Sequence, residues 1–598
     1  MLLETLLKYQ ILPLLCCFLT ACSQTPLPQK DLKTHIQQAG FAPDEVSVLM
    51  QPLFSGADPV SHRADAAMAP ASTMKVLTST VALARLGTDW RGFTRLALAA
   101  GDFEKLQQQA HVQGLSFRLQ QPLFLQAGSD ADLNDAELRS LLQQLRALGV
   151  TELGGGIVLD RSVFTPARTD VGAADFDESP KARYNHQPDA LYLGQSQTVL
   201  RLSANYHQLQ AMVLPYWPGV QLDVSAVQLT EQSCDDVKLA NLTASLHPAL
   251  SKSTVASAQL QSKTPRSTQP VQQRWILKLA GQFAKNCQQQ GSFELIDRDL
   301  SLMLSLEQEW LALGGKLGSQ LEGQFEGQLG GQSGVKTGQN TSAPSGAAAT
   351  PLLPDVSALI SGIPQSNWLK TGVSPADAVP VAIHASRPLA ELVLRVNKSS
   401  DNALTRLLFL TLGAEAKGAE TESSQTKNAD TTGAVISASA QPQQRTLQPG
   451  AATLITHQLA QQQVKQWLTE QNINSDVLVL ENGSGLSRTE RVSATLLAEV
   501  LKTAWLAPYG PELLASLPLS GTDGTLKNRF KSGPAYQKAR LKTGTLRDVT
   551  ALAGFVWDGQ NRPWVVVMMV NSDKAMKAGR PLLDKLVQQL AGSGGGKH

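Results

Sequence analysis

The 598-residue sequence has little cysteine, almost no net charge and no long apolar run in its body. Its five cysteines and nine histidines form no H-E-x-x-H sequence and no clustered ligand set, so we expect no metal ion and no other cofactor. The formal net charge is only +2, and the basic residues are dispersed along the sequence. Both features argue against nucleic-acid binding. Without an apolar run of about eighteen residues, no segment after the N-terminus is expected to span a membrane.

The N-terminus has the pattern of an export signal. Ile11 to Leu19 is a short apolar stretch, so residues 1–21 are predicted to be a signal peptide and 22–29 a linker. The four residues that end at Cys22 resemble a bacterial lipobox, in which this cysteine carries the lipid. Ser23 in the next position favours the outer membrane. The sequence thus predicts a periplasmic lipoprotein whose lipid is its only membrane contact; the alternative is plain secretion with an incidental cysteine.

Three short motifs occur in a fixed order: S-x-x-K at Ser72–Lys75, S-x-N at Ser400–Asn402 and K-T-G at Lys542–Gly544. In this order they build an active-serine site for D-alanyl peptides and β-lactams. Each motif also occurs elsewhere, so the surrounding sequence must decide among the copies. The other copies are 424–427 for S-x-x-K, 203–205 for S-x-N, and 336–338 and 370–372 for K-T-G. Those at 424–427, 336–338 and 370–372 lie in polar, glycine-rich or proline-flanked stretches typical of loops.

The chosen copies lie where such chemistry needs them. Ser72 and Lys75 open a predicted helix, and their spacing puts the hydroxyl and the amine on one face. A buried lysine beside a second cation has a lowered pKa and can act as the base for a serine. Ser400–Asn402 opens another predicted helix, where an ordinary N-cap is the alternative reading. Lys542–Gly544 precedes a buried strand predicted at 549–557, and Gly544 would let a substrate backbone come close.

Longer stretches around the motifs resemble the class C low-molecular-mass penicillin-binding proteins, which are serine D-alanyl-D-alanine carboxypeptidases and endopeptidases of the penicillin-binding protein 4 type. The resemblance rests on Pro70 to Lys75, Asn397 to Asn402, Gly483 to Arg488 and Lys542 to Leu546. It implies an α/β (α+β) fold with a split β-lactamase/transpeptidase-like catalytic domain, an antiparallel sheet flanked by helices. β-Rich domains would be inserted between the first two motifs.

The length and spacing agree with a split domain. Roughly three hundred residues separate Ser72 from Ser400, which is far more than a loop within one domain needs. We therefore predict a catalytic domain whose two segments flank an insertion, with two polar tracts that are disordered. The predicted divisions are 30–95 for the first catalytic segment, 96–368 for the insert with disorder at 314–350, 369–590 for the second catalytic segment with disorder at 414–450, and 591–598 for a flexible tail.

The residue types suggest a mechanism. Ser72 would attack the carbonyl between two D-alanines of a peptidoglycan stem peptide, Lys75 would take its proton, and Ser400 would relay a proton to the leaving amine. Asn402 would bind the substrate amide. Lys542 and the hydroxyls of Thr543 and Thr545 would hold the terminal carboxylate, and the N–H groups of Ser72 and Thr545 would form the oxyanion hole. β-Lactams would acylate the same serine.

The resemblance adds a side-chain pocket. Arg488 would receive a carboxylate on the diamino acid of the stem peptide, and Leu486 would line the same pocket. Phe176, Asp177 and Tyr184 occupy the neighbourhood from which related inserts contribute an aromatic and an acidic residue. For Asp177 a solvated loop carboxylate is the alternative.

Two other functions fit the motifs less well. A non-catalytic peptidoglycan-binding or β-lactam-binding protein would not need every motif residue, and all are present. A β-lactamase needs a base that activates water for rapid deacylation, and no motif supplies one. The sequence does not separate carboxypeptidase from endopeptidase action.

Cysteine counting predicts one disulfide. Cys16 and Cys17 leave with the signal peptide, and Cys22 is the predicted lipid site. Only Cys234 and Cys287 remain, both in the predicted insert, and an oxidising periplasm allows them to pair. Two buried free thiols are the alternative.

Overall fold

The computed structural model describes residues 29–593, apart from 55–56, 110–115, 172–175, 177–181, 192, 218, 240–241, 250–274, 319–367 and 427–454. The helices are α1 Gln29–Gln38, α2 Met74–Leu86, α3 Ala100–Gln109, α4 Asp135–Ala147, α5 Arg298–Ala312, α6 Leu389–Ser399, α7 Asn402–Thr426, α8 Thr456–Glu470, α9 Ala494–Leu506, α10 Gly510–Ser516 and α11 Arg580–Gly592. Within the described residues, none of these helices has the length and hydropathy that crossing a membrane requires.

The strands form five sheets in the described part of the chain. They are β1 Val46–Pro52, β2 Val60–His62, β3 Phe93–Leu98, β4 Phe117–Leu119, β5 Leu123–Gly128, β6 Val150–Leu153, β7 Ile157–Asp160, β8 Thr198–Ala204, β9 Leu209–Leu214, β10 Val220–Thr230, β11 Thr243–Pro248, β12 Trp275–Ala284, β13 Gln288–Phe293, β14 Lys316–Leu317, β15 Leu369–Thr371, β16 Val379–Ala385, β17 Ala539–Leu546, β18 Val549–Trp557 and β19 Pro563–Asn571.

The first sheet joins the two ends of the chain in the antiparallel order β17-β18-β19-β1-β2. Strand β19 is apolar from Trp564 to Val570 because both of its faces are covered. In β19, Val566 and Met568 pack towards α1 and α11, whereas Val565 and Val567 pack towards α2 and α9. The α+β class predicted from the sequence is confirmed, and the strand predicted at 549–557 is β18.

The second five-stranded sheet, in the order β15-β7-β5-β3-β16, is built from chain that lies between the strands of the first sheet. Its strand β3 belongs in part to the predicted first catalytic segment, and β15 and β16 belong to the predicted second one. The predicted boundaries at 95 and 368 therefore divide this sheet. The structural reason is the antiparallel pairing of β16 with β3, a long-range contact without a local sequence signal.

Two three-stranded sheets, β13-β8-β9 and β10-β12-β11, enclose a separate apolar cluster within the insert. A disulfide joins Cys234 to Cys287 beside this cluster, with their Cα atoms 5.3 Å apart. The sheet β14-β6-β4 completes the insert. The structure thus places the cysteine pair in the β-rich portion of the chain.

The predicted disordered tracts lie mostly outside the described residues. Of 314–350, the first residues are described, and Lys316–Leu317 pairs with β6. The tract predicted at 414–450 overlaps the end of α7, which continues to Thr426. The alanine and glutamate residues of this segment favour a helix although it is polar. The predicted signal peptide and Cys22 are outside the described chain, as are residues 22–28 of the linker.

Candidate active site

Ser72 lies in a short 3₁₀ turn, Ala71–Thr73, that leads directly into α2. Ala71 has a φ of 46°, so the chain turns sharply just before the serine. A Cβ added to Gly485 would lie 1.8 Å from the carbonyl oxygen of Ala71, and one added to Gly544 would lie 2.6 Å from that of Pro70. Both glycines therefore allow other segments to pack against this turn. For Gly544 the close neighbour is the protein's own backbone at Pro70, and the approach of a substrate to this glycine stays a prediction.

Lys75 is one turn further along α2 and is fully buried. Its Nζ lies 3.0 Å from Ser72 Oγ, donates to Asn402 Oδ1 at 2.6 Å and also donates to the carbonyl of Ser484. A neutral amine has two N–H groups for the amide and the carbonyl, which leaves its lone pair for the Ser72 hydroxyl proton. Burial lowers the pKa of Lys75 well below its usual value, and the nearby positive charge of Lys542 lowers it further. Lys75 therefore has the geometry of a general base.

The S-x-N motif joins α6 to α7. Ser400 ends α6 in the left-handed conformation, with φ 58°, and Asn402 begins α7. Asp401 Oδ1 accepts from the N–H of Leu404 at 3.0 Å, so Asp401 caps α7. The S-x-N motif therefore both caps the helix and contributes to the site. Asp401 caps α7, whereas its neighbours Ser400 and Asn402 contact Lys542 and Lys75. Asn402 reaches Lys75, and Ser400 Oγ accepts from Lys542 Nζ at 2.9 Å.

The K-T-G motif lies on β17, at the edge of the first sheet among the described strands. Lys542 is fully buried, and desolvation lowers its pKa to about 7. Its Nζ donates to Ser400 Oγ and, at 2.8 Å, to the carbonyl of Thr543. The Thr543 hydroxyl lies 2.8 Å from the hydroxyl of Thr525, and Thr545 is exposed. Hydroxyls beside a lysine provide the donors that a carboxylate needs.

Arg488 and Leu486 follow the turn that supplies the Ser484 carbonyl. Arg488 donates to the carbonyl of Phe176 at 3.2 Å and stacks on its ring, with the guanidinium carbon 4.9 Å from the ring centroid. Leu486 is partly buried in the same turn. Asp177, which the resemblance placed in this pocket, lies outside the described residues.

Several contributors to the site have no motif in the sequence. Asn402 Nδ2 donates to the carbonyl of Tyr184 at 2.9 Å, so the insert supplies a main-chain contact to the site. Buried Glu490 accepts from the N–H of Gly483 at 2.9 Å and so fixes the turn before Ser484. Burial raises the pKa of this carboxyl. A carboxylate that binds local N–H groups is visible in the sequence only as a glutamate near a glycine-rich turn.

The competing motif copies lie elsewhere. The K-T-G copy at Lys370 falls in β15 of the second sheet, so it is a strand and not the predicted loop. The S-x-N copy at Ser203 begins at the end of β8. Ser424 lies on the last turns of α7, and its partner Lys427 is outside the described residues, as is the copy at 336–338. None of these described copies enters the hydrogen bonds around Lys75.

Comparison with protein families identifies the group to which this chain belongs. Residues 28–344, 357–432 and 444–590 match the profile of the D-Ala-D-Ala carboxypeptidase 3 (S13) family. The chain belongs to the S13 family. This is a family of serine peptidases, and the relatives from Actinomadura and Haemophilus influenzae are named D-alanyl-D-alanine carboxypeptidases.

The S13 relatives match over limited stretches of their length. The D-alanyl-D-alanine carboxypeptidase of Actinomadura sp. strain R39 is 30% identical over 185 residues, which is 30% of this chain and 28% of that protein. Across the curated relatives, this S13 chain spans only 26% to 40% of their length.

The S13 fold is recognisable along nearly the whole chain. Penicillin-binding protein 4 from Haemophilus influenzae superposes with a TM-score of 0.60 and 20% identity, covering 94% of this chain and 98% of that one. The same protein in complex with a novel β-lactam gives a TM-score of 0.58 and 18% identity, with the same coverage. At these identities the similarity establishes the fold.

Proposed function

We propose that this chain is a serine-type D-Ala-D-Ala carboxypeptidase and DD-endopeptidase that acts on peptidoglycan stem peptides through an acyl-enzyme on Ser72. The observation that carries the proposal is the contact between Ser72 Oγ and the buried Nζ of Lys75 at 3.0 Å. Burial and neighbouring cations favour the neutral amine, which is the form that can accept the hydroxyl proton. Membership of the S13 family supports the same reaction.

In acylation, Ser72 Oγ forms a bond to the carbonyl carbon between the two D-alanines, and Lys75 Nζ takes the hydroxyl proton. The C–N bond then breaks, and the departing amine needs a proton. We propose that the proton taken by Lys75 passes to this amine through Ser400, whose Oγ accepts from Lys542 Nζ at 2.9 Å. Water next adds to the ester, releases the shortened peptide and returns the proton to Ser72.

The substrate is held by the carboxylate at its end. Lys542 would provide the cation, and the hydroxyls of Thr543 and Thr545 would donate to the same carboxylate. The N–H groups of Ser72 and Thr545 would stabilise the oxyanion, each by about 3 kcal/mol in the transition state. The difference between carboxypeptidase and endopeptidase action is the leaving amine, which belongs either to free D-alanine or to a cross-linked neighbour.

Arg488 is proposed to select the side chain of the stem peptide. It lies on the turn that also supplies the Ser484 carbonyl to Lys75, and its stacking on Phe176 holds the guanidinium in place. A fixed guanidinium binds a carboxylate with two parallel hydrogen bonds, which suits a diamino acid that carries a free carboxylate. Leu486 and Asp177 are proposed to line the same pocket.

We propose that the protein acts in the periplasm, where peptidoglycan, its proposed substrate, lies. We propose that residues 1–21 are a signal peptide and that Cys22 carries a lipid that anchors the chain to the outer membrane. β-Lactams are proposed to acylate Ser72, as suggested by the β-lactam complex of the similar Haemophilus influenzae protein. Metabolic labelling with a radioactive fatty acid tests the lipid, and the Cys22→Ser variant should lose the label.

The experiment that tests the function is labelling of purified protein with a fluorescent penicillin, followed by mass spectrometry of the labelled peptide. The expected result is a stable adduct on Ser72 that is absent from Ser72→Ala. Release of D-alanine from a pentapeptide and cleavage of a cross-linked dimer then measure the two peptidase activities. An absent adduct on folded protein would favour a non-catalytic binding protein, and rapid loss of the adduct would favour a β-lactamase.

A further inference from the structure

Arg406 is a buried cation of α7 that none of the catalytic steps uses. It lies one turn after Asn402, so the two side chains project from the same face of the helix. Its NH1 donates to the carbonyl of Asn185 at 3.0 Å and to the carbonyl of His186 at 2.9 Å. Arg406 therefore binds the main chain of the insert directly beside Tyr184, the residue whose carbonyl accepts from Asn402.

The segment bound by Arg406 is also fixed from its other side. On α5, buried Arg298 donates from NH1 to the carbonyl of Gln187 at 2.9 Å. The main chain around Tyr184 is thus held between an arginine of the insert and an arginine of the catalytic domain. Arg406 lies on the same helix as Asn402, so it links the position of this segment to that of the Asn402 amide. Arg183 of the segment also pairs with Asp401, the residue before Asn402, at 3.6 Å.

We propose that Arg406 is a positioning residue: it clamps the segment after Tyr184 so that the Tyr184 carbonyl orients Asn402, and it adds positive charge beside Lys75. This inference rests on the proposed function for its meaning. Both polar atoms of the Asn402 amide form hydrogen bonds: Nδ2 donates to the carbonyl of Tyr184, and Oδ1 accepts from Lys75 Nζ. A shift of the clamped segment therefore moves the amide that holds the general base.

The charged groups around Lys75 determine in which direction the charge of Arg406 shifts the pKa of Lys75. Lys542 on β17 and Arg406 on α7 lower the pKa of Lys75. Glu490, after the turn of Ser484, and Asp401, which caps α7, raise it. Loss of the guanidinium charge therefore raises the pKa of Lys75, and acylation then requires a higher pH.

Two substitutions in the full chain separate the clamp from the charge. Arg406→Met removes both, and we expect the rate constant for acylation by a fluorescent penicillin to fall about 10- to 100-fold, with its pH midpoint moved upwards. Arg406→Lys keeps the charge but cannot bind two carbonyls in a fixed geometry. It should keep the wild-type midpoint and still acylate slowly.

A matched control reports simple destabilisation. Arg529 is a buried arginine of the same catalytic domain, paired with Asp584 on α11. Arg529→Met should lower the melting temperature and leave the pH midpoint of acylation unchanged. A shift of the midpoint in this variant as large as that in Arg406→Met would overturn the proposal.

A double-variant comparison tests whether Arg406 acts through Asn402. In an Asn402→Ala background the clamp has no amide to orient, so Arg406→Lys, which keeps the charge, should reduce acylation by less than about threefold. An equal loss in the wild-type and Asn402→Ala backgrounds would overturn the clamp. Wild-type acylation rates in Arg406→Met would overturn the whole proposal.

A measurement that needs no substrate tests the role of Arg406 separately from the proposed enzymatic function. The titration of Lys75 can be followed by NMR in protein with 13C-labelled lysine, with the signal assigned by Lys75→Arg. The titration should move to higher pH in Arg406→Met and stay in place in Arg406→Lys. An unlabelled Ser72 in wild type would reject the proposed function alone, whereas an unmoved Lys75 titration in Arg406→Met would reject the charge effect of Arg406.

Discussion

Lys75 and Lys542 are two fully buried amines that share one site, and their environments fit them for opposite tasks. Desolvation lowers the pKa of both, because a buried ammonium loses its hydration. Lys75 additionally faces the charge of Lys542, which favours its neutral form. A substrate carboxylate beside Lys542 would restore the charge of that amine. The proposed base and the proposed carboxylate-binding cation are thus distinguished by their neighbours.

The pH dependence of substrate capture follows from Lys542. Its pKa of about 7 means that, before substrate binds, the amine is charged below about pH 7 and neutral above it. We therefore expect kcat/KM for a D-Ala-D-Ala peptide to fall as the pH rises through 7. In Lys542→Arg the cation persists, so this falling limb should disappear although the overall rate is lower. The measurement is kcat/KM between pH 5 and 10, and a falling limb retained by Lys542→Arg would contradict the assignment.

Gly485 provides a steric test of the position of Ser72. It has a φ of 78°, and an added Cβ would lie 1.8 Å from the carbonyl oxygen of Ala71 and 2.8 Å from the N–H nitrogen of Ser72. Gly485→Ala should therefore displace the serine and reduce acylation by about 100-fold. Gly40 is the matched control, because its φ is 77° and an added Cβ meets nothing within 4 Å.

The Gly40→Ala control should cost only backbone strain of about 1–2 kcal/mol in the free energy of unfolding. Acylation of that variant should proceed at the wild-type rate. Acylation by penicillin and thermal unfolding are measured on both variants. Equal acylation by Gly485→Ala and Gly40→Ala would show that the turn tolerates displacement.

Among the elements, the loop between α10 and β17 connects two of the motifs. Lys398, two residues before Ser400, pairs with Asp523 of this loop at 2.7 Å and donates to the carbonyl of Leu517 at 2.8 Å. Asp523 Oδ1 also accepts from the N–H of Leu519, so the carboxylate shapes the loop itself. The end of α6 and the entry to β17 are thus held together.

The same loop presents Thr525 to the hydroxyl of Thr543, 2.8 Å away, which we propose binds the substrate carboxylate. Thr525→Val removes the hydroxyl that forms a hydrogen bond with the Thr543 hydroxyl and so holds it in position. We expect KM for a D-Ala-D-Ala peptide to rise about 2- to 10-fold with little change in kcat. Thr522→Val is the control, because Thr522 lies on the same loop and its hydroxyl donates to the carbonyl of Ser520. Steady-state kinetics on both variants are the measurement, and an equal rise of KM in the two would exclude a specific role for Thr525.

The sequence predicts those helices and strands whose apolar pattern lies within one short stretch of residues. The apolar run that became β18 and the helix that follows Ser72 were both predicted, because burial imposes a period on consecutive residues. The pairing of β16 with β3 was not predicted, since the two strands are far apart in the chain. The extension of α7 to Thr426 was not predicted either, because a polar helix has no apolar period.

The site shows the same division between local and distant information. Ser72 and Lys75 are three residues apart, so helix geometry alone brings them together. The carbonyl of Tyr184 reaches Asn402 across 218 residues of sequence, and Arg406 binds neighbouring carbonyls at a similar separation. Every residue has a main-chain carbonyl whatever its side chain, so a sequence motif cannot reveal such hydrogen-bond partners.

At the scale of the whole molecule, the insert contributes to the active site as well as adding to the fold. The segment at Tyr184 contacts Asn402, and the carbonyl of Phe176 accepts from Arg488. The β-rich portion around the Cys234–Cys287 disulfide has its own apolar cluster, distinct from the clusters on the two faces of the first sheet. The insert thus contains a region beside the catalytic site and a region with a separate core.

This division predicts how loss of the disulfide affects the molecule. Cys234 and Cys287 are separated by 53 residues, and opening a loop of this length in the unfolded chain destabilises the folded state by about 4 kcal/mol. In the Cys234→Ala/Cys287→Ala variant we expect this loss to appear in the β-rich portion, as an unfolding transition at lower temperature. Acylation of Ser72 by penicillin should continue above the temperature of that transition, because the clusters that hold the catalytic sheet do not include either cysteine. Calorimetry with parallel labelling makes the comparison, and simultaneous loss of acylation and of the β-rich portion would show that the two unfold as one unit.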